Sequence, residues 1–162
     1  MAKLLDNRSG KKSSVLTDFF IHKNGNILSV HFDAYDSSLK SYSNKDNDEL
    51  YKGDVVEIFL DIGEPDSYLE IEVAPNGAKF VANIINREIH FIDNNFVKVN
   101  SKIEGNNYFV DIEIDLSKYA TQYIKYNAFR IETKGIKQDY ILLALNPTLS
   151  NTFHVKEKFI TL

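Results

Sequence analysis

Leu28-Ser29-Val30-His31-Phe32-Asp33-Ala34 separates its apolar residues from its polar ones with a period of two. That spacing sends successive side chains to opposite faces of a β-strand. The same alternation recurs along the chain. Val56, Ile58, Leu60 and Ile62 form one face of a second segment, with Val55, Glu57, Phe59 and Asp61 on the other. In Tyr68-Leu69-Glu70-Ile71-Glu72-Val73 the apolar set Leu69, Ile71 and Val73 turns inward, and the two carboxylates occupy the polar, solvated phase. Val110, Ile112, Ile114 and Leu116 alternate with Asp111, Glu113 and Asp115, and Phe129 and Ile131 alternate with Arg130 and Glu132. Half-buried antiparallel sheet is the structure that such a pattern fits.

Between these runs stand turn-forming residues. Asn24-Gly25 and Asn76-Gly77 tolerate the positive φ of tight hairpins, and Asp93-Asn94-Asn95 and Glu104-Gly105-Asn106-Asn107 read as looser turns. Strands about 8–12 residues apart with such punctuation point to an all-β, antiparallel β-sandwich of jelly-roll or immunoglobulin-like type. Helix is scarce, the best candidate being one turn at Asp115-Leu116-Ser117-Lys118-Tyr119. Ser37 to Glu49 reads as a long polar loop, and residues 1–12 as a flexible N-terminal segment. With 162 residues, 43% of them hydrophobic and 26% charged, the expectation is one domain, 1–162, with a sizeable core.

Bulk chemistry removes several function classes. A net charge of −4 argues against nucleic acid, which calls for a basic stripe or patch. The absence of cysteine removes disulfides, thiolate nucleophiles and Cys-ligated metals. No stretch approaches the roughly 20 apolar residues that cross a bilayer, so no membrane partner is expected. Nor does an apolar segment of signal-peptide length follow the basic N-terminus. A cytoplasmic address is expected if the chain is complete as given, and an extracellular one if it is a domain of a secreted enzyme.

Aromatic residues, 11 Phe and 9 Tyr with no Trp, make up 12% of the chain. Most Phe fall on inward faces. Tyr42, Tyr51, Tyr68, Tyr108, Tyr123, Tyr126 and Tyr140 fall near strand ends or loops, where a ring either fills the rim of the core or offers a flat platform to a ligand. Glu57 stands out because Val55 and Phe59 flank it on its own face. A carboxylate among apolar residues wants a partner. Arg130 is the candidate, as a structural ion pair or as a pair that also holds ligand hydroxyls. The carboxylate pairs Glu70/Glu72 and Asp111/Glu113 have no shaped catalytic loop beside them and do not suggest a glycosidase.

Metal chemistry has weaker signals. Asp46-Asn47-Asp48-Glu49 with Asp33 and Asp36 leaves room for a structural calcium, or is a solvated acidic loop. His22, His31, His90 and His154 lack metal-ligand spacing. With Met1 the only methionine, a His/Met haem is excluded and a bis-His haem has no positive support.

The chain also resembles the family 9 carbohydrate-binding modules and their family 9-like relatives. Leu50-Tyr51-Lys52-Gly53-Asp54-Val55-Val56-Glu57-Ile58-Phe59-Leu60-Asp61 is similar to that family's strand motif of an aromatic, a short acidic turn and D-x-V-E-hydrophobic-F. Tyr68 to Gly77, with Pro75-Asn76-Gly77, resembles the following hairpin, and Asn127-Ala128-Phe129-Arg130 the N-F-x-R strand with Ala128 inserted. Ala144-Leu145-Asn146-Pro147 and Phe153-His154-Val155 through Leu162 are similar to the closing segments. The resemblance implies a non-catalytic β-sandwich, an accessory domain of a glycoside hydrolase, that binds a glycan end or small saccharide between two aromatics, with calcium in some members. Tyr51 then stands for the first aromatic and Glu57 for a sugar-bonding carboxylate, joined by Asn76, Arg130 and the Asn146 amide. The second aromatic falls where this chain has Leu145, and Lys156 and Ile160 depart from the family's Pro and Gly. That departure leaves a structural or protein-interaction sandwich as the alternative, and a haem-binding relative as a lesser one.

Overall fold

The computed structural model describes residues 1–35, 38–119, 123–134 and 139–162. Strands β1 (Ala2–Lys3), β3 (Thr17–Asn24), β4 (Ile27–Tyr35), β9 (Val97–Glu104) and β10 (Asn107–Asp115) form one antiparallel sheet in the order β1-β3-β4-β10-β9. The second sheet runs β2 (Leu5–Asp6), β12 (Asp139–Ala144), β11 (Lys125–Lys134), β5 (Val55–Asp61), β6 (Ser67–Val73), β7 (Lys79–Ile85) and β8 (Glu88–Phe91). A short β13 (Ile160–Thr161) also pairs with β11. The two sheets make a β-sandwich, and the only helical segments among the described residues are single 3-10 turns at Leu50–Lys52 and Lys156–Lys158. At Asp115–Tyr119 the chain makes one turn, closed by the Tyr119 N–H donating to Leu116 O at 2.9 Å.

The alternating sets fill the space between the sheets. Leu28, Val30, Phe32 and Ala34 from β4 meet Val56, Ile58 and Leu60 from β5, Leu69, Ile71 and Val73 from β6, and Val110, Ile112 and Ile114 from β10 in one core. Asp111, Glu113 and Asp115 lie on the solvent side of β10. The hairpins fall where the turn residues stand: Gly77 closes the β6–β7 turn at φ 88°, a conformation only glycine takes without strain.

Three features differ from the sequence expectation. The first twelve residues are not a loose tail but a strap. β1 pairs with β3 in one sheet and β2 with β12 in the other. Buried Asn7 then exchanges hydrogen bonds with Thr148, Nδ2 to Oγ1 and Thr148 N–H to Oδ1, both at 2.8 Å. Second, Arg130 and Glu132 point into the sandwich rather than out of it, because Arg130 pairs in register with Val56 and so shares its inward face. The fully buried Arg130 guanidinium reaches across to the other sheet, donating to Leu16 O at 3.1 Å and Thr17 Oγ1 at 2.9 Å, and lies over the Tyr108 ring. Third, the outer face of the larger sheet is not open to water. Val55, Phe59, Tyr68, Phe80, Ala82, Ile84 and Phe129 form a second buried cluster there with Leu50, Phe153 and Phe159 from the loops.

Candidate functional site

The loops that cover this outer face leave a cavity of about 700 Å³ between them. Its floor comes from β5 and β6, and it is made of carboxyls. Glu57 and Glu72 are directly opposed across the two strands, and Glu70 lies two residues from Glu72 on the same face. All three are nearly inaccessible, at 2%, 3% and 6% exposure, so the solvated role expected of Glu70 and Glu72 is wrong. They occupy the polar phase of their strand, but a layer of loops lies over that phase.

One oxygen from each carboxyl lies within 4.8 Å of the others, near enough for one cation to touch all three. Burial pushes the Glu57 carboxyl well above the usual range, and Glu70 pushes it further. Burial does the same to Glu72, reinforced by Glu57 and Glu70 and opposed by the Tyr51 backbone N–H. Glu70 is raised to about 7, again by burial, with the hydrogen bond from the protonated Glu72 carboxyl pulling the other way. Among the described residues, no N–H or hydroxyl reaches the buried Glu72 Oε2. His154 Nδ1, 3.9 Å from Glu70, is the nearest basic group paired with any of the three among the described residues.

Walls and rim are largely apolar and aromatic: Phe80, Ile84, Ile89, Phe91, Ile131, Leu142 and Phe153. Tyr51 and Phe91, which line this cavity, are 44% and 59% exposed. Tyr51 is held by its hydroxyl donating to Glu49 Oε1 at 3.0 Å, and Glu49 in turn pairs with Lys52. The loop carrying them is pinned by Asp54, fully buried, whose Oδ2 accepts from Lys40 N–H at 2.5 Å and whose Oδ1 accepts from Thr133 N–H and Oγ1 at 2.7 and 2.8 Å. Gly53 packs so closely that a Cβ there would sit 2.6 Å from Tyr42 N and 2.7 Å from Lys40 O. On the opposite rim His154 is fixed by its Nδ1, 2.5 Å from Tyr68 Oη, and by stacking on Phe59 at 5.4 Å. Burial lowers the His154 pKa, and Arg87 lowers it further. Arg87 lines the cavity from the two-residue β7–β8 turn, where Asn86 and Arg87 both take positive φ.

Of the residues singled out in the sequence, Tyr51 and Glu57 meet at this cavity. Three others do not. Asn76 closes its own turn, accepting from Ala78 N–H at 3.1 Å and donating to Ser43 O at 2.9 Å. Arg130 lies on the opposite face of the sheet from Glu57, so the two are not partners. Asn146 donates to Lys158 O at 2.8 Å and steadies the C-terminal loop. Leu145 packs against the main core and is not at the cavity at all. Phe91, Phe153 and His154 supply the rings on that side instead. Of these, the sequence singles out Phe153 and His154 in a closing segment, and His154 also among the histidines.

The acidic-loop side chains bond to backbone nearby. Asp46 Oδ1 accepts from Lys79 N–H, Asn47 Oδ1 from Val81 N–H and Asp48 Oδ1 from Glu49 N–H. Asp33 lies on the other sheet, and Asp36 falls outside the described residues. The histidines do not converge either. His22 and His31 are on the outer side of the five-stranded sheet, and His90, paired with Asn83, faces away from Ile89 and Phe91. His154 alone lines the cavity.

Two sheets, a loop-covered outer face and this cavity define a β-sandwich like those of the family 9 carbohydrate-binding modules. It superposes on a candidate carbohydrate-binding protein from Bacteroides uniformis with a TM-score of 0.84, over 99% of this chain and 84% of that one at 17% identity. Two structures of a family 9 carbohydrate-binding module from Caldicellulosiruptor kristjanssonii are also similar. The complex with glucose has a TM-score of 0.65 at 19% identity, covering 89% of this chain and 74% of that one. The complex with cellotriose has a TM-score of 0.64 at 20% identity, covering 88% and 71%. No family model matches the sequence. An extracellular protein of Arthroderma benhamiae is 37% identical over 67 residues, which span 39% of this chain and only 30% of that relative's length.

Proposed function

We propose that the chain is a non-catalytic saccharide-binding module, and that a glycan end or small saccharide enters the cavity on the outer face of the larger sheet. The observation that carries this reading is one cavity with exposed rings at its rim, Tyr51 and Phe91, and buried carboxyls at its floor, Glu57, Glu70 and Glu72, with Glu72 Oε2 lacking a hydrogen-bond partner among the described residues. A pyranose offers the complement: a flat C–H face for a ring and a rim of hydroxyl donors for the carboxyls. Likeness of fold to modules solved with glucose and with cellotriose supports the same ligand class. Binding without chemistry follows from the carboxyl geometry. A glycosidase sets its two carboxyls on either side of the scissile bond, about 5 Å or more apart. Here one oxygen from each of three carboxyls lies within 4.8 Å of the others on a single floor, an arrangement that favours holding a ligand over flanking a bond.

The test is a glycan array that includes free reducing-end mono- and disaccharides, followed by calorimetry on the hits. Tyr51→Ala should weaken a genuine ligand about tenfold or more, since losing a ring platform costs on the order of 1.4 kcal/mol. An array without hits from demonstrably folded protein would move the function to the protein-interaction reading.

A further inference from the structure

We propose that the floor of the cavity is an ammonium site, so that the saccharide this domain selects is an amino sugar with a free, charged amine. The inference rests on the cavity being a saccharide site and names the class of sugar. Three buried carboxyls present oxygens that converge within 4.8 Å, and buried Glu72 Oε2 has no donor among the described residues. A neutral sugar hydroxyl donates one proton and brings no charge, which leaves the other acceptors as they were. A primary ammonium brings three N–H donors and a positive charge. With charge-assisted bonds of about 2.8 Å and tetrahedral directions, its three acceptors stand about 4.6 Å apart, a spacing that the 4.8 Å bound on this triangle admits.

Surroundings of the triad favour the ammonium over a metal ion. Calcium takes about six to eight oxygens, whereas the neighbours of the triad on the same sheet face are Val55, Phe59, Phe80 and Phe129. The aromatic rings nearby are also suited to a cation. Asp48 and Glu49 stand at the rim, and an ammonium seated among Glu57, Glu70 and Glu72 favours the ionised form of these carboxyls that burial alone disfavours.

Calorimetry at pH 6.5 with glucosamine, glucose, N-acetylglucosamine and calcium chloride on the full chain tests this. Glucosamine should bind at least tenfold more tightly than glucose or N-acetylglucosamine. Glu72→Gln should remove that advantage, while Tyr51→Ala weakens all three sugars alike. Glu57→Gln carries the same test should Glu72→Gln fail to fold by its thermal melt. Glucose binding as well as glucosamine would overturn the ammonium site and leave the saccharide reading standing. No binding of any sugar would overturn both. Calcium binding that Glu72→Gln abolishes would make the floor a metal site and overturn the inference.

Discussion

Glu57, Glu70 and Glu72 are held in the folded protein against their own interest in water. Their carboxyls titrate higher when folded than the ordinary value of 4.5, Glu70 reaching about 7 and Glu57 and Glu72 also raised well above it by burial. Between those limits the folded state binds more protons than the unfolded chain, so stability falls as pH rises. The contribution is full below about pH 4.5 and is lost from there through pH 7 and above. For Glu70 alone the span corresponds to about 3 kcal/mol. Urea unfolding across pH 5 to 8 should therefore show stability declining with pH; a rise over that range would contradict the burial. By the same reasoning Glu72→Gln, which keeps the shape and removes the charge, should stabilise the protein at pH 8 by about 1–3 kcal/mol. A lower melting temperature for the variant would show that the carboxylate is better satisfied than its surroundings indicate. The pairing of Glu57 with Arg130 that the sequence suggested fails here, because strand register, invisible in one chain, sets the two on opposite faces.

At the scale of elements, β5, β6 and β7 carry side chains buried on both faces. For β5 and β6 the inward phase was legible from alternation alone. Their outward phase was not, since alternation separates polar from apolar positions without saying whether water or a loop covers them. A signal was present nonetheless: Val55, Phe59, Tyr68, Phe80 and Ala82 are apolar residues on the face that also carries the glutamates. Those strands need the loops, and the loops need their pins. Gly53→Ala would drive a methyl into the backbone of Tyr42 and Lys40, costing about 1–3 kcal/mol and displacing the neighbouring Tyr51. Sugar affinity of the folded variant should drop with it; unaltered affinity and melting would show that the approach is less tight. On the other rim, the strap residue Asn7 holds Thr148, and Arg8 Nε donates to Asn151 Oδ1 at 2.6 Å. Asn7→Ala leaves buried partners unpaired and should cost about 2–3 kcal/mol, read as a lowered denaturation midpoint.

The whole molecule is a sandwich with a further layer of loops, and the buried Arg130 makes a polar link between its sheets. Removing that side chain strands its partners in the interior. Arg130→Ala should therefore destabilise by about 3–5 kcal/mol without touching the ligand cavity, so any protein that remains folded should bind saccharide normally. Sandwich and strand phases could be read from the chain because they follow from local periodicity. The cavity could be read only in part, through Tyr51 and Glu57, because its floor and far wall are assembled from residues distant in sequence: Glu70, Glu72, Arg87, Phe91 and His154. The most direct measurement is an NMR titration of the labelled domain with glucose, cellotriose and glucosamine, mapped onto the structure. Shift changes gathered on Tyr51, Glu57, Glu70, Glu72, Phe91 and His154 are expected. Changes centred on the five-stranded sheet or around Asn76 and Asn146, or no change with any of the three sugars, would contradict the assignment of this cavity as the saccharide site.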